Sequence, residues 1–169
     1  MGTINTRIIE RPAFTVAGRK TWISGQDNEL FGRFWSQCRV DGLFDIFVQL
    51  NGMQAGAQTN GTVLGVSCVE QDPANRAFYY LIAIESPAAG LPAGLEQHSI
   101  PASQWAIFAA RGQMPDALVE AEMFAFMQWL PSSGYVHAPA PEMEVYLPTS
   151  QTESGAVTCE FWLPIMLKS

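Results

Sequence analysis

The sequence is poor in charge. Of its 169 residues only 15% are Asp, Glu, Lys or Arg, where an average soluble domain carries about 25%. With 48% hydrophobic residues it has much apolar surface to hide, which excludes a disordered chain. Positive charge is scarcest: nine Lys and Arg face sixteen Asp and Glu, a net charge of -7. That balance repels a phosphate backbone and anionic lipid, so neither nucleic acid nor a membrane surface is expected as a partner. Cysteine and histidine are few as well. Cys38, Cys68 and Cys159 lie far apart without a CxxC, and only His98 and His137 accompany them. This suggests neither a disulfide framework nor a zinc site, and no metal or other cofactor is expected. No stretch approaches the roughly 18 apolar residues of a membrane span, and the opening MGTINTRIIERPAF is charged and Pro-interrupted where a signal peptide needs an apolar run, so a cytoplasmic protein is expected. GxSxG is missing, and the glycines of residues 51–61 lack phosphate-cradle spacing and a following Lys-Ser or Lys-Thr. That segment reads as a loop that could cover a cleft.

What is present is a repeated order of elements. Arg7 to Ile23 is rich in β-branched and aromatic residues and reads as one extended strand, with Pro12 tolerable near its start. Leu30, Phe31, Phe34, Trp35 and Cys38 follow at helical spacing, with a shorter second helical piece predicted after Gly42. Residues 62–70 and 77–85 flank the turn sequence QDPANR and read as a hairpin. A second strand is predicted over residues 96–111, then a helix opening at Pro115-Asp116, with Met123, Phe124, Phe126 and Met127 assigned to its core stripe. Strands over residues 142–147 and 157–167 complete the second unit. The expected architecture is α+β: duplicated βαββ units, repeat one about 6–86 and repeat two about 95–168, form an antiparallel sheet with two main helices on one face and a ligand cleft on the other. The whole chain, 1–169, is read as a single domain.

The strand 157–167 is the most informative stretch. Alternation puts Cys159, Phe161, Leu163 and Ile165 on the helix-facing side and Glu160, Trp162 and Pro164 on the other. A carboxylate beside a tryptophan in so apolar a strand needs water, a donor or a cation as partner. Glu160 is therefore the candidate anionic anchor, with Trp162, Tyr80, Trp105, Tyr146 and Trp35 as candidate aromatic walls. Such a pocket suits lipophilic cations, because Coulomb attraction and cation–π contacts of roughly 0.5–2 kcal/mol act together. Core packing and, for Glu160, exposure to solvent remain the plainer alternatives. His98 and His137 read as surface or turn histidines.

Several stretches, in order, resemble the GyrI-like effector-binding domain found at the C-terminal end of AraC-type and MerR-type multidrug regulators. They are RIIERPAFTVAGRK, GVSCVEQDPANRAFYYLIAIE, IPASQWAIFAARG, MQWLPSSGY, PEMEVYLP and CEFWLPI. The resemblance implies the duplicated fold, and a non-catalytic module for cationic, amphipathic compounds with the acid of the CEFWLPI-like strand, Glu160, in an aromatic cleft. No helix-turn-helix precedes Thr6, so a stand-alone sensor or sequestering module is expected, acting alone, as a homodimer or with a partner regulator. An alternative implied by the same family is a hydrolase of cyclopropane-bearing natural products in which Glu160 activates water and Tyr80 or Tyr79 polarises the leaving oxygen. A protein-interaction role through an exposed strand is the third reading.

Overall fold

The computed structural model describes residues 4–24, 29–51, 63–72, 74, 76–85, 93–113, 115–146 and 157–169. The glycine-rich segment 52–61, most of the linker between the repeats and the connection 147–156 lie outside the described residues. Among the described residues nine strands form one antiparallel sheet. They are β1 (Thr6–Arg11), β2 (Phe14–Ile23), β3 (Val63–Cys68), β4 (Phe78–Glu85), β5 (Glu96–Ile100), β6 (Ser103–Arg111), β7 (Tyr135–His137), β8 (Glu142–Tyr146) and β9 (Val157–Leu167). The path is β1-β6-β9-β8-β3-β4-β2-β5, with β7 added to β9. The duplication is visible in this order: β2, β3 and β4 on one side of the β3–β8 seam mirror β6, β8 and β9 on the other.

Each predicted long opening strand is in fact two. Pro12-Ala13 and Pro101-Ala102 break them, since proline can neither donate to a ladder nor leave its predecessor free. The two pieces then part company. β1 pairs with β6, the strand that opens the second repeat, while β5 pairs with β2 of the first. In a flat sheet β1 and β2 would stand six strand spacings apart, about 29 Å. Yet the three Cα steps from Arg11 to Phe14 span at most about 11 Å. The same holds for β5 and β6, so the sheet must curl until its edges approach each other over the helix-free face. Arg11 at the end of β1 accordingly donates to both carboxylate oxygens of Glu85 at the end of β4, at 2.9 Å each.

The curl gives the helix-free face a core of its own. Leu64, Val66, Leu81, Trp105, Ile107, Met143, Val145 and Trp162 pack there, and Trp105 has no exposed surface. The open cleft expected on this face is therefore filled, over this part of it, by the chain's own side chains.

Helices cover the opposite face. α1 (Glu29–Val40) and α2 (Leu43–Asn51) pack on β4 through Cys38, Leu43 and Phe47, and the break between them falls at Gly42, whose φ of 81° suits a residue without a side chain. α3 (Asp116–Phe124) continues through a π-helical stretch, Ala125–Trp129, into α4 (Leu130–Ser133), and ends at left-handed Gly134. The wider stretch changes which residues face inward. Phe124 and Phe126 pack on the sheet, but Met123 and Met127 are 51% and 69% exposed, against the expectation that all four are core. Among the described residues no helix is long and apolar enough to cross a membrane.

Candidate functional site

The six residues singled out from the sequence divide between opposite faces of the sheet. Glu160, Trp162 and Trp105 lie on the helix-free face, whereas Tyr80, Tyr146 and Trp35 meet on the helix side. They do not line one cleft, because strand alternation sends them apart.

Glu160 finds its partners within the chain. Its Oε2 accepts a 2.8 Å hydrogen bond from Arg7 and its Oε1 a 3.1 Å bond from the Trp162 indole. Arg7 reaches it from β1 across β6, the strand that lies between β1 and β9. The residue is buried, yet it is neutralised, so an anchor awaiting a visitor's charge is not what its surroundings make of it. Trp105 stacks obliquely on Trp162, with ring centroids 5.7 Å apart, as a core pair.

The helix side holds the other three aromatic residues around a different acid, Glu144 of β8. Tyr80 donates to Glu144 Oε1 at 3.0 Å, and the Tyr146 hydroxyl donates to the same oxygen. Trp35 of α1 donates its indole N–H to the Tyr80 hydroxyl at 3.1 Å and meets the Tyr146 ring edge-on at 4.9 Å. Phe31 packs edge-on against Tyr80 as well. Gly65 makes this possible. It stands opposite Glu144 in the β3–β8 ladder, and a methyl group there would run into the Tyr80 hydroxyl and lie 2.6 Å from Glu144 Oε1.

Two more carboxylates gather at this seam. Glu142 is tied by Arg76, 3.2 Å from each of its oxygens, and by His137 Nε2 at 2.9 Å. Burial alone would raise its pKa, but the His137 and Arg76 hydrogen bonds outweigh burial and hold it below the usual range. Phe126, carried on the π-helical stretch, stacks over the His137 ring. Among the described residues Glu144 has no such cation. Burial pushes it up to about 6, with Glu142 adding to the rise, although the Tyr146 and Tyr80 hydrogen bonds oppose it. Glu122 of α3 is pushed up to about 8 by burial and by the negative charge of Glu144 and Glu142, against the pull of Arg76. Burial also lifts both phenols above their ordinary values, so they stay hydroxyl donors. The seam thus presents acid in excess of base, walled by aromatic rings on one side.

Glu144 and Glu122 were not singled out from the sequence. One signal was there for Glu144: EVYLP, which begins at Glu144, and EFWLP in β9 are the same pattern, an acid two residues before an aromatic ring. For Glu122, a glutamate in a helix, no sequence signal exists.

A family model described as the GyrI-like small molecule binding domain matches residues 4–166. A search of curated proteins returns no match. Among solved structures, SAV2435 bound to tetraphenylphosphonium is similar at a TM-score of 0.76 and 20% identity, covering 96% of this chain and 94% of that one. The C-terminal domain of EcmrR is similar at 0.64 and 14% identity, covering 98% and 99%. A hydrolase encoded by lin2189 from Listeria innocua is similar at 0.52 and 14% identity, covering 95% and 91%. Both the duplicated α+β fold and the matched span lead to one conclusion: this chain belongs to the GyrI-like small-molecule-binding family.

Proposed function

We propose that this chain binds lipophilic organic cations at the seam between its halves, with Glu144 as the principal anionic anchor, Glu122 as a second acid, and Trp35, Tyr80 and Tyr146 as aromatic walls. The observation that carries the reading is Glu144 itself. It is a partly buried carboxylate whose hydrogen bonds, among the described residues, come from two neutral phenols rather than from a cation. A ligand's positive charge would supply what the fold withholds, and the ring faces would add cation–π attraction of roughly 0.5–2 kcal/mol each. The tetraphenylphosphonium held by the similar protein SAV2435 is a ligand of this class. Such a module senses or sequesters its ligand without altering it. Three free thiols, two of them buried, fit the reducing cytoplasm.

The test uses two ions of one shape and opposite charge. Tryptophan fluorescence is titrated with tetraphenylphosphonium and with tetraphenylborate. The cation should bind and the anion should not; Glu144→Gln should weaken the cation by about tenfold or more, while Glu160→Gln leaves it nearly unchanged. Equal affinity for both ions, or loss in Glu160→Gln alone, would defeat the reading.

A hydrolytic use of the same cluster is the second reading, favoured by a carboxyl near 6 within hydrogen-bond reach of two phenols, which suits general acid–base work. Turnover of an electrophilic cyclopropane by the wild type, abolished in Glu144→Gln, would establish it. Cation binding without turnover would leave the binding module alone.

A further inference from the structure

Away from the seam, Cys68 and Glu70, two residues apart in sequence, converge with the distant His98 at one end of the helix-free face. Cys68 ends β3, Glu70 lies in the turn after it, and His98 sits in β5. Strands β4 and β2 separate β3 from β5, so a flat sheet would hold Cys68 and His98 at least about 14 Å apart, and further because Cys68 is level with Trp22 in β2 while His98 is level with Val16. The curl removes that distance. His98 stands opposite Val16 in the β2–β5 ladder, and Cys68 packs against the helix-free core. As a result the Cys68 sulfur, a Glu70 carboxylate oxygen and a His98 ring nitrogen all lie within 4.8 Å of one another. His98 Nε2 is 2.6 Å from Glu70 Oε2. A cavity of about 190 Å³ opens beside them, lined by Cys68 and His98 together with Lys20, Tyr79, Leu81 and Glu96.

Two chemistries use a sulfur, an imidazole and a carboxylate. A Cys–His–carboxylate catalytic relay needs the carboxylate on one ring nitrogen and the sulfur on the other, with a thiol ready to ionise. Here Nε2 faces Glu70, and among the described residues no hydrogen bond joins the Cys68 sulfur to the other ring nitrogen. A nucleophile is not built this way. Metal coordination needs only that three donors surround one point. Zinc bonds to sulfur at about 2.3 Å and to nitrogen or oxygen at about 2.0–2.2 Å, so donors sharing an ion sit about 3–4 Å apart. Small side-chain rotations bring the observed spread into that range. Sulfur and imidazole select against calcium and magnesium, which prefer oxygen. The cavity leaves space for a water in the fourth position.

We propose that Cys68, Glu70 and His98 form a binding site for a borderline-soft divalent cation of the zinc type, with an open fourth position facing the cavity. The ion would fasten β5 to the end of β3 and so hold the curl closed. The sequence hides the site because Cys-x-Glu is no metal motif on its own and the third ligand, His98, lies 28 residues after Glu70 and is brought in by tertiary curvature.

The test is titration of the full chain with cobalt(II), whose thiolate complexes show a near-ultraviolet charge-transfer band, followed by displacement with zinc. One equivalent should bind with that band. Cys68→Ser should abolish the band, and His98→Gln and Glu70→Gln should each weaken affinity by about tenfold or more. Zinc should also raise the thermal midpoint of the wild type and leave that of Cys68→Ser unmoved. Glu70→Gln alters a turn residue rather than the core, so it reads out the site even where Cys68→Ser folds poorly. No band in the wild type, a band that survives Cys68→Ser and therefore arises from Cys38 or Cys159, or full affinity in Glu70→Gln would overturn the proposal.

Discussion

Glu144 and Glu160 are local twins with opposite fates. Each stands in an acid-x-aromatic-Leu-Pro pattern, and each accepts a hydrogen bond from the ring two residues on, Tyr146 or Trp162. Their strands are neighbours, but the register sets Val145 opposite Glu160 and Glu144 opposite Phe161. Paired residues share a face, so a one-residue offset sends the two acids to opposite sides of the sheet. On the helix-free side Glu160 meets Arg7 and becomes part of the structure. On the helix side Glu144 meets phenols and other acids, and remains short of positive charge. What separates an inner ion pair from a candidate receptor is therefore register, not motif.

Exchanging the two acids for amides should separate them most sharply. Glu144→Gln should weaken tetraphenylphosphonium by about tenfold to a hundredfold, yet leave the thermal midpoint of the free protein unchanged or higher at pH 8, because it removes a carboxylate that burial disfavours. A fall in both quantities would mean that Glu144 is structural, like its twin. Gly65→Ala comes next. Its methyl group displaces Tyr80 or Glu144, so urea unfolding should show a loss of about 1–3 kcal/mol together with weakened cation binding. Glu160→Gln should cost about 1 kcal/mol in the same assay and leave affinity alone, a modest figure because Arg7 is 55% exposed and water screens the pair.

The smallest effect is that of pH. Glu144 and Glu122 have folded pKa values near 6 and 8, above the ordinary 4.5, so the native chain retains protons that the unfolded chain has released. Stability from these groups is fully present below about pH 4.5 and is lost as pH rises through 6 and 8. Cation affinity should move the other way, strengthening from pH 6 to 8. A shallower slope in Glu144→Gln, where only Glu122 still titrates, with an unchanged slope in Glu160→Gln would tie the effect to the seam.

Periodicity made much of this legible. The two sets of side chains in β9 face as alternation assigns them, and Gly42 divides the first helical segment where turn chemistry says it should. Other features depend on contacts between distant residues. Pro12 looked tolerable near the start of one long strand and Pro101 fell inside another, whereas each marks a crossing to the other edge of the sheet. The three-residue strand β7 is too short to leave a pattern, and its His137, read as a loop residue, holds Glu142. Glu144 was overlooked because Glu142, Glu144 and Tyr146 alternate with Met143 and Val145 just as the wet side of an ordinary strand would. Only Trp35 and Tyr80, contributed by the other half of the molecule, turn that side into a site.

The exchange of opening strands sets the order in which the chain can be completed. Thr6 pairs with Phe108, so β1 has no ladder to join until roughly a hundred further residues have left the ribosome. Through that interval the nascent first half carries an unmatched arm and β2 lacks the neighbour that β5 later provides. The two repeats are thus mutual prerequisites, closer to a dimer with swapped arms on one polypeptide than to two modules in series.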